Sequence, residues 1–583
     1  MLPVLALAWV FQTADLQLTD GATTYPLQPV LRVAERTTPT GPPLALRRLA
    51  FVAEGAVLVA HTPTATYRLR TVAEAGLVRQ TLEITDEKPR WVGEESLSWT
   101  LPGPAEALDR AYRFGPVRGV LVVGPETPVV VRWGGLALEG GAGVEGMALH
   151  GSARQAEVRL EHDHRDHHPF RVYDRCTETP ENTLPARLLD LSPRQPIVPP
   201  TPRTMTWTWR IDAQVVAVPS RFPERFQAAL SLTNHADQAS VERTAALAYG
   251  REDWAAGRAA GEGLVGRGLR YTQTIFLAPA PGYAPQGGNP PFEALLEALQ
   301  ADGVELGVHS PSGRRDRPED AEPLLAAFRA RFHGVTWIDH GPADNCEALT
   351  SEGWDATSPW SMVPLLARQG FTTAWLIPDR LTGPGVNLLR PDRPAVRAPV
   401  LIHHPLLAPL RLFATAWLFG PRSGLLRRYR PSELDHLQAD FGLSIGHVYL
   451  DTWRAEGPSA ARTLLARGPT GLGLRPEVAV WLDDLAARQR TGTLWVTGVG
   501  PLLDHLEAAL AVERRWTPGQ LVVRPRAPLA GLTLLLYGGP LGGLTLNGTP
   551  AVLTSVGGRT ALALPPDGGT LGLPTGAASL EIR

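Results

Sequence analysis

At 583 residues the chain exceeds what one hydrophobic core organises, since domains hold about 100–200 residues, and three domains are expected. Its composition, 44% hydrophobic and 20% charged with a formal net charge of −2, is that of a folded protein and argues against a basic face for nucleic acid or a polybasic membrane anchor. Lys88 is the sole lysine, which argues against Schiff-base chemistry and against a phosphate-loop lysine.

The opening residues 1–14 read either as a short export signal, although no basic start precedes the apolar run, or as a first strand. The product is then either exported or cytoplasmic. No later stretch is long and apolar enough to span a bilayer. Residues 1–218 read as a β-sandwich-like domain, with short β-branched or alternating runs at 78–84, 97–100, 119–123 and 129–133 between turn residues. Within it, 161–168 crowds acids and histidines together, as either a solvated strand face or a metal-binding patch. A proline-rich connector follows at 193–202, then a closing strand over 206–218. Cys176 and Cys346 stand far apart and match no paired metal spacing.

From about residue 219 the texture changes to alternating strands and helices. The run 228–234 is an apolar strand that ends on His235 and Asp237. Helical periodicity at 291–299, with Pro early and Gly303 just past the end, precedes a strand at 304–309. Helix 319–332, strand 335–340, helix 362–369, strands 371–377 and 400–403, helix 432–441, strand 443–450, helix 477–488, strand 494–497 and helix 502–514 continue the pattern. Repeated units of this kind predict a parallel sheet or a distorted (β/α) barrel over 219–515. Residues 516–583, rich in Gly, Leu, Thr and Pro with strand-like runs at 532–537 and 544–546, predict a small β-sandwich or barrel.

In the middle domain an imidazole closes one expected strand after another: His235, His309, His340, His403 with His404, and His447. In a (β/α) domain all these ends meet at one mouth, where ligands collect. Because residues two apart in an extended chain share a side, His235 and Asp237 aim at one point. With Asp237 and Asp339 nearby, the mouth offers the mixed nitrogen and oxygen donors that a divalent metal, zinc above all, accepts. Metal-assisted hydrolysis is the reaction class that such a site suits. Trp337, Trp354, Trp360 and Trp375 are either core or faces on which a sugar stacks, with Trp337, Trp354 and Trp360 taken as the candidate substrate contacts.

The run 230–237, followed by Gly303-Val304-Glu305-Leu306-Gly307-Val308-His309-Ser310, resembles the polysaccharide deacetylase domain (NodB homology, carbohydrate esterase family 4). The resemblance covers roughly residues 225–510. It implies a NodB-type barrel in which Asp237 and His309 bind the metal and His447, in Ile445-Gly446-His447-Val448-Tyr449-Leu450, acts as the acid. His235-Ala236-Asp237 stands where the family has two adjacent acids, and Gly313 stands where its second metal histidine falls. His340 is the inferred replacement ligand, leaving Asp339 or His235 as the base. The expected activity is hydrolysis of an amide or ester on a carbohydrate or another small substrate. The alternative is a carbohydrate-binding or scaffold protein that kept the barrel and lost the reaction. A nucleotide-dependent enzyme is disfavoured, because no phosphate loop or dinucleotide glycine pattern follows a strand.

Overall fold

Buried and exposed residues alternate along Pro202–Arg210 and Leu77–Asp86, the pattern of strands with one face on a core. The two pair antiparallel, with Thr206 opposite Thr81, at the centre of a sheet that also contains Ala65–Glu74, Val57–His61, Leu136–Gly140 and Val130–Trp133. A second antiparallel sheet orders Val144–Gly151, Gln155–His162, Trp91–Pro102, Val30–Arg36 and Arg47–Leu49. Side chains from both sheets form one apolar core. At its centre Trp99 meets Trp207 and Trp209 edge-on, with ring centroids 5.5 and 5.6 Å apart. The indole N–H groups of Trp207 and Trp209 both donate to Gln80 Oε1, at 2.8 and 3.0 Å, so no polar atom of the trio is stranded there.

The computed structural model describes residues 9–573 and 581–582, except for breaks of one to four residues and the stretches 11–16, 37–44, 108–129, 163–170, 173–188, 191–201, 279–287, 340–358, 376–400, 418–423 and 452–462. The expected strand 119–123, most of the acid- and histidine-rich segment 161–168, and both cysteines lie outside the described residues. No helix among the described residues is long and apolar enough to cross a membrane. The chain forms two units: Met1–Phe170, Leu191–Pro223 and Ala508–Arg583 make the first, and Arg171–Asp190 with Glu224–Glu507 the second.

The closing strand expected over 206–218 is in fact two strands in different sheets. Pro202–Arg210 belongs to the sheet above, whereas Val215–Pro219 pairs with Thr533–Gly538. Glycine- and leucine-rich sequence near the C-terminus adds a second small sheet, Glu513–Thr517, Gln520–Arg524, Gly569–Gly572, Thr545–Leu546 and Thr549–Pro550, over a core that includes Leu521, Leu534, Leu562 and Leu571.

The second unit is built on a parallel sheet. Its strands are β1 (Ala228–Asn234), β2 (Thr272–Ile275), β3 (Glu305–Val308), β4 (Thr336–Trp337), β5 (Thr373–Trp375), β6 (Leu401–His404), β7 (Leu407–Phe413), β8 (Ala416–Trp417), β9 (Leu443–Val448) and β10 (Leu494–Thr497). The order across the sheet is β6-β7-β5-β4-β3-β2-β1-β9-β8, with β10 against the first residues of β1 and β6 alone antiparallel to its neighbour. Every residue of β1 is buried, as an apolar strand covered on both faces requires. The helices between the strands include α1 (Val241–Tyr249), α2 (Pro290–Ala301), α3 (Pro318–Phe332), α4 (Val363–Arg368), α5 (Pro431–Ala439), α6 (Pro476–Thr491) and α7 (Val499–Leu510). Four of them begin on proline, whose fixed φ and missing N–H suit a first turn. Ser240 caps α1 by accepting from Arg243 N–H at 3.3 Å.

At the amino end of the sheet Glu305 is half-buried and carries a pKa raised by loss of solvent around its carboxyl, against the pull of its hydrogen bonds. Its carboxylate accepts from Thr272 Oγ1 at 2.7 Å, from Thr336 Oγ1 at 2.5 Å and from Gly500 N–H at 3.0 Å, so it also caps the first turn of α7. A Cβ at Gly500 would come within 2.5 Å of that carboxylate, so glycine is required for the approach. This plug ties β2, β3, β4 and α7 together and leaves the opposite, carboxyl end of the strands for chemistry.

Candidate active site at the carboxyl ends of the parallel strands

The end of β1 is pinned on both sides. His235 N–H donates to Val448 O at 2.9 Å, and Leu450 N–H donates to Asn234 Oδ1 at 2.7 Å. Asn234 Nδ2 in turn donates to Gln273 Oε1 at 2.9 Å. Alternation along an extended chain then sends His235 to the face opposite Asn234, toward the residues at the ends of β3, β5 and β9.

There the rings of His235 and His447 stack, with centroids 3.7 Å apart and planes 20° from parallel. Trp375, at the end of β5, meets both edge-on at 4.8 and 4.7 Å, and its indole N–H donates to Thr415 Oγ1 at 2.9 Å. Tyr449 borders the same pair at 5.6 and 5.2 Å. His309 approaches His235 edge-on at 5.0 Å and has Phe276 4.9 Å away on its other side. Each such aromatic contact contributes about 0.5–1.5 kcal/mol beyond burial, enough together to hold the imidazoles in fixed orientations. His235, His309, His447 and Asp339 are all buried, so hydrogen bonds at this end form in a low-dielectric setting.

His309 is held at both nitrogens. Nδ1 lies 3.1 Å from the carbonyl oxygen of Ile338, and Nε2 lies 2.8 Å from Asp237 Oδ1. A backbone carbonyl can only accept, so Nδ1 carries the hydrogen. An ionised carboxylate can only accept as well, and a neutral imidazole has a single N–H. The pair therefore calls for one more positive centre between Nε2 and Oδ1, either a second proton or a metal cation. Fixing of the remote ring N–H by a backbone carbonyl is also how metal-binding histidines are oriented. Directly after His309 the chain turns through Ser310 at φ 56°, a left-handed conformation disfavoured for residues with a side chain and often found at functional sites.

The residues singled out in the sequence divide accordingly. His235, His309 and His447 meet at one end of the sheet, and Asp237 joins them through His309. Asp339 follows Ile338, the residue that holds His309, and its Oδ1 accepts from the indole N–H of Trp337 at 2.6 Å. That bond, with complete burial and an edge-on contact to Phe371 at 6.3 Å, makes Trp337 a core and positioning residue and leaves it no face for a sugar. Trp360 is half-buried with the Arg317 guanidinium 4.9 Å above its ring. His340, Trp354, Gly313 and the side chains of His403 and His404 lie outside the described residues. Among the described residues no group of three or more His, Cys, Asp and Glu side chains is arranged to hold a metal ion. Two of the three expected ligands, Asp237 and His309, are in contact. Tyr449 and Phe276 were not singled out. The alternation that pairs His235 with Asp237 equally places Tyr449 beside His447.

No family model matches the chain, and no curated protein matches it. Among solved structures it is similar to an α-N-acetylgalactosaminidase from Bifidobacterium bifidum, at 10% identity over 87% of this chain and 94% of that one, with a TM-score of 0.30. It is also similar to an α-galactosidase from Geobacillus stearothermophilus (8%, 98% of this chain and 89% of that one, TM-score 0.25) and to an α-amylase from Geobacillus thermoleovorans (9%, 62% and 99%, TM-score 0.26). These three are carbohydrate-active enzymes and none is a deacetylase. Likeness at this level leaves the chemistry of this chain to be read from its own residues.

Behind β1, on the face away from the imidazoles, Asp451 is wholly buried with Oδ2 3.2 Å from Thr244 Oγ1. Burial pushes its carboxyl up to about 6, with Asn234 and Thr244 pulling the other way. A raised folded-state pKa means that stability from this group is fully present below the ordinary carboxyl range near 4 and is lost as pH rises through 6. Asp451→Asn removes that loss. The stability of the variant relative to the parent is therefore expected to rise by about 2 kcal/mol between pH 4.5 and pH 7.5. Urea unfolding of both proteins at the two pH values measures this, and an unchanged difference would show that the buried carboxyl does not titrate as described.

Proposed function

We propose that the second unit is a metal-dependent hydrolase that cleaves an amide or ester on a small, carbohydrate-like substrate. The observation that carries the reading is His309 held between two acceptors. Because both ring nitrogens are engaged, His309 has none left to relay a proton to a nucleophile, which disfavours an Asp–His dyad and favours a cation gripped by Asp237 and His309. His340 is the third donor we assign, and zinc the ion that suits two imidazoles and a carboxylate. A divalent cation held there supplies Lewis-acid polarisation of a carbonyl.

The remaining roles fall to groups of this chain. Asp339, steadied by the Trp337 indole, takes a proton from the attacking water. His447, stacked on His235 and wedged against Trp375, gives a proton from its ring to the leaving nitrogen or oxygen. His235 fixes the plane of His447 and separates it from His309. Trp375 and Tyr449 supply the aromatic surroundings of the imidazole pair. The choice of a carbohydrate amide or ester rests on the resemblance of residues 303–310 to the deacetylase strand.

Acetate release from N-acetylated and O-acetylated sugars tests the reading. Release that a chelator abolishes and added zinc restores is the expected result, with His447→Gln reducing it by about 10²-fold or more. Release that persists unchanged through chelation, or in His447→Gln, would contradict it.

A further inference from the structure

In the strand order of the second unit β7 and β8 belong to opposite ends of the sheet. Yet the chain passes from Phe413, the last residue of β7, to Ala416, the first of β8, with only residues 414 and 415 between them. That link spans at most about 11 Å, so the sheet curls until its two ends come close. No ladder joins β7 to β8 among the described residues. Thr415 lies in the link, followed by Ala416 and Trp417, which pair with Gly446 and His447 of β9. On the other side Trp375 closes β5, paired with Phe413.

Across this seam the Trp375 indole N–H donates to Thr415 Oγ1 at 2.9 Å. Both residues are buried. The same ring stands nearly perpendicular to the two stacked imidazoles, at 85° to His235 and 76° to His447. Such edge-on contacts depend on ring angle, and the terminal torsion of a tryptophan has only broad preferences of its own. A directional hydrogen bond at one corner of the indole removes that freedom. Thr415 thereby reaches the imidazoles through Trp375.

We propose that Thr415 is a positioning residue: by anchoring the Trp375 indole across the seam it holds the ring angle that fixes His447 against His235. Its effect on catalysis rests on the hydrolase reading, in which His447 protonates the leaving group. Its effect on the geometry of the imidazoles does not.

The test compares the full-length parent with Thr415→Val, which keeps the shape of the side chain and loses the acceptor, and with Thr415→Ser, which restores it. Acetate release from an acetylated sugar is expected to show kcat about ten-fold lower in Thr415→Val, KM unchanged, and recovery in Thr415→Ser. Where Thr415→Val fails to fold, Trp375→Phe, which loses the N–H and keeps an aromatic ring, should lower kcat at least as far. A second readout needs no activity. In chains labelled with 13C-histidine, the ring current of Trp375, 4.7–4.8 Å away, shifts the Cε1–H resonances of His235 and His447. Both should move in Thr415→Val and return in Thr415→Ser. A parent that releases no acetate would count against the hydrolase reading and leave the resonances to decide this one. Resonances that stay in place in folded Thr415→Val, or an unchanged kcat in an active enzyme, overturn the proposal.

Discussion

His309→Ala and Asp237→Ala are each expected to lower kcat/KM by about three orders of magnitude while leaving the far-UV circular dichroism of the chain unchanged. His309 is oriented by Ile338 O through one nitrogen and faces Asp237 through the other, so either substitution leaves a single described donor where two converge. Several kcal/mol of electrophilic stabilisation would go with the cation, and each 1.4 kcal/mol is a factor of ten in rate. Both kcat and kcat/KM should fall, because the lost interaction is with the developing oxyanion rather than with bound substrate. The two effects should not add in Asp237→Ala/His309→Ala, since both residues are proposed to hold the same cation. Steady-state kinetics on an acetylated sugar for the parent and three variants checks this. Additive losses would assign the two residues to separate tasks.

Glu95→Gln is expected to destabilise the first unit by about 3–5 kcal/mol. Glu95, Asp86, Arg90, Arg203 and Tyr67 form a buried network, with Glu35 3.9 Å from Arg90 at its edge. Arg90 donates to Asp86 Oδ1 at 2.6 Å, to Glu95 Oε1 at 2.6 Å and to Tyr67 OH at 2.8 Å. Arg203 clasps Asp86 at 2.9 and 3.0 Å and Glu95 at 2.5 and 3.2 Å. Burial by itself would weaken the charge of either arginine, but the surrounding carboxylates outweigh it and hold both pKa values above the ordinary one. Removing the charge of Glu95 takes a buried carboxylate away from both guanidinium groups, leaving Asp86 to face the two and Glu35 3.9 Å from Arg90. Replacing the Glu95–Arg203 pair together by Leu and Met should restore much of the loss, since two apolar groups leave no stranded charge. Urea unfolding followed by the fluorescence of the Trp99, Trp207 and Trp209 cluster reads both variants.

Much of the second unit was legible because its signals are local. Apolar runs at 228–234, 304–309 and 443–450 coincide with β1, β3 and β9, and the polar residues that stop them stand at their carboxyl ends. Proline at the first turn marked α2 within a residue of its observed start, and the helix expected over 319–332 coincides with α3. The convergence of His235, His309 and His447 followed from strand ends sharing one side of a parallel sheet. What a sequence cannot carry is the direction and partner of a side chain across long separations. The Asp86–Arg203 and Glu95–Arg203 bonds join residues 117 and 108 apart, each of which reads alone as a solvated charge. Trp337 and Trp375 both lie at strand ends. Only packing sends the indole of Trp337 to Asp339 and the ring of Trp375 to the imidazole stack. The break between Pro202–Arg210 and Val215–Pro219 escaped because both halves have strand-like sequence and differ only in which sheet receives them.

The positive centre between His309 and Asp237 is most directly tested by the metal content of the purified full-length chain, by mass spectrometry after exhaustive dialysis, beside His309→Ala and Asp237→Ala. A stoichiometric divalent ion in the parent, lost from both folded variants, is the expected result. A folded parent that takes up no divalent ion when zinc is supplied would leave a proton as the occupant and remove the basis for metal-assisted hydrolysis.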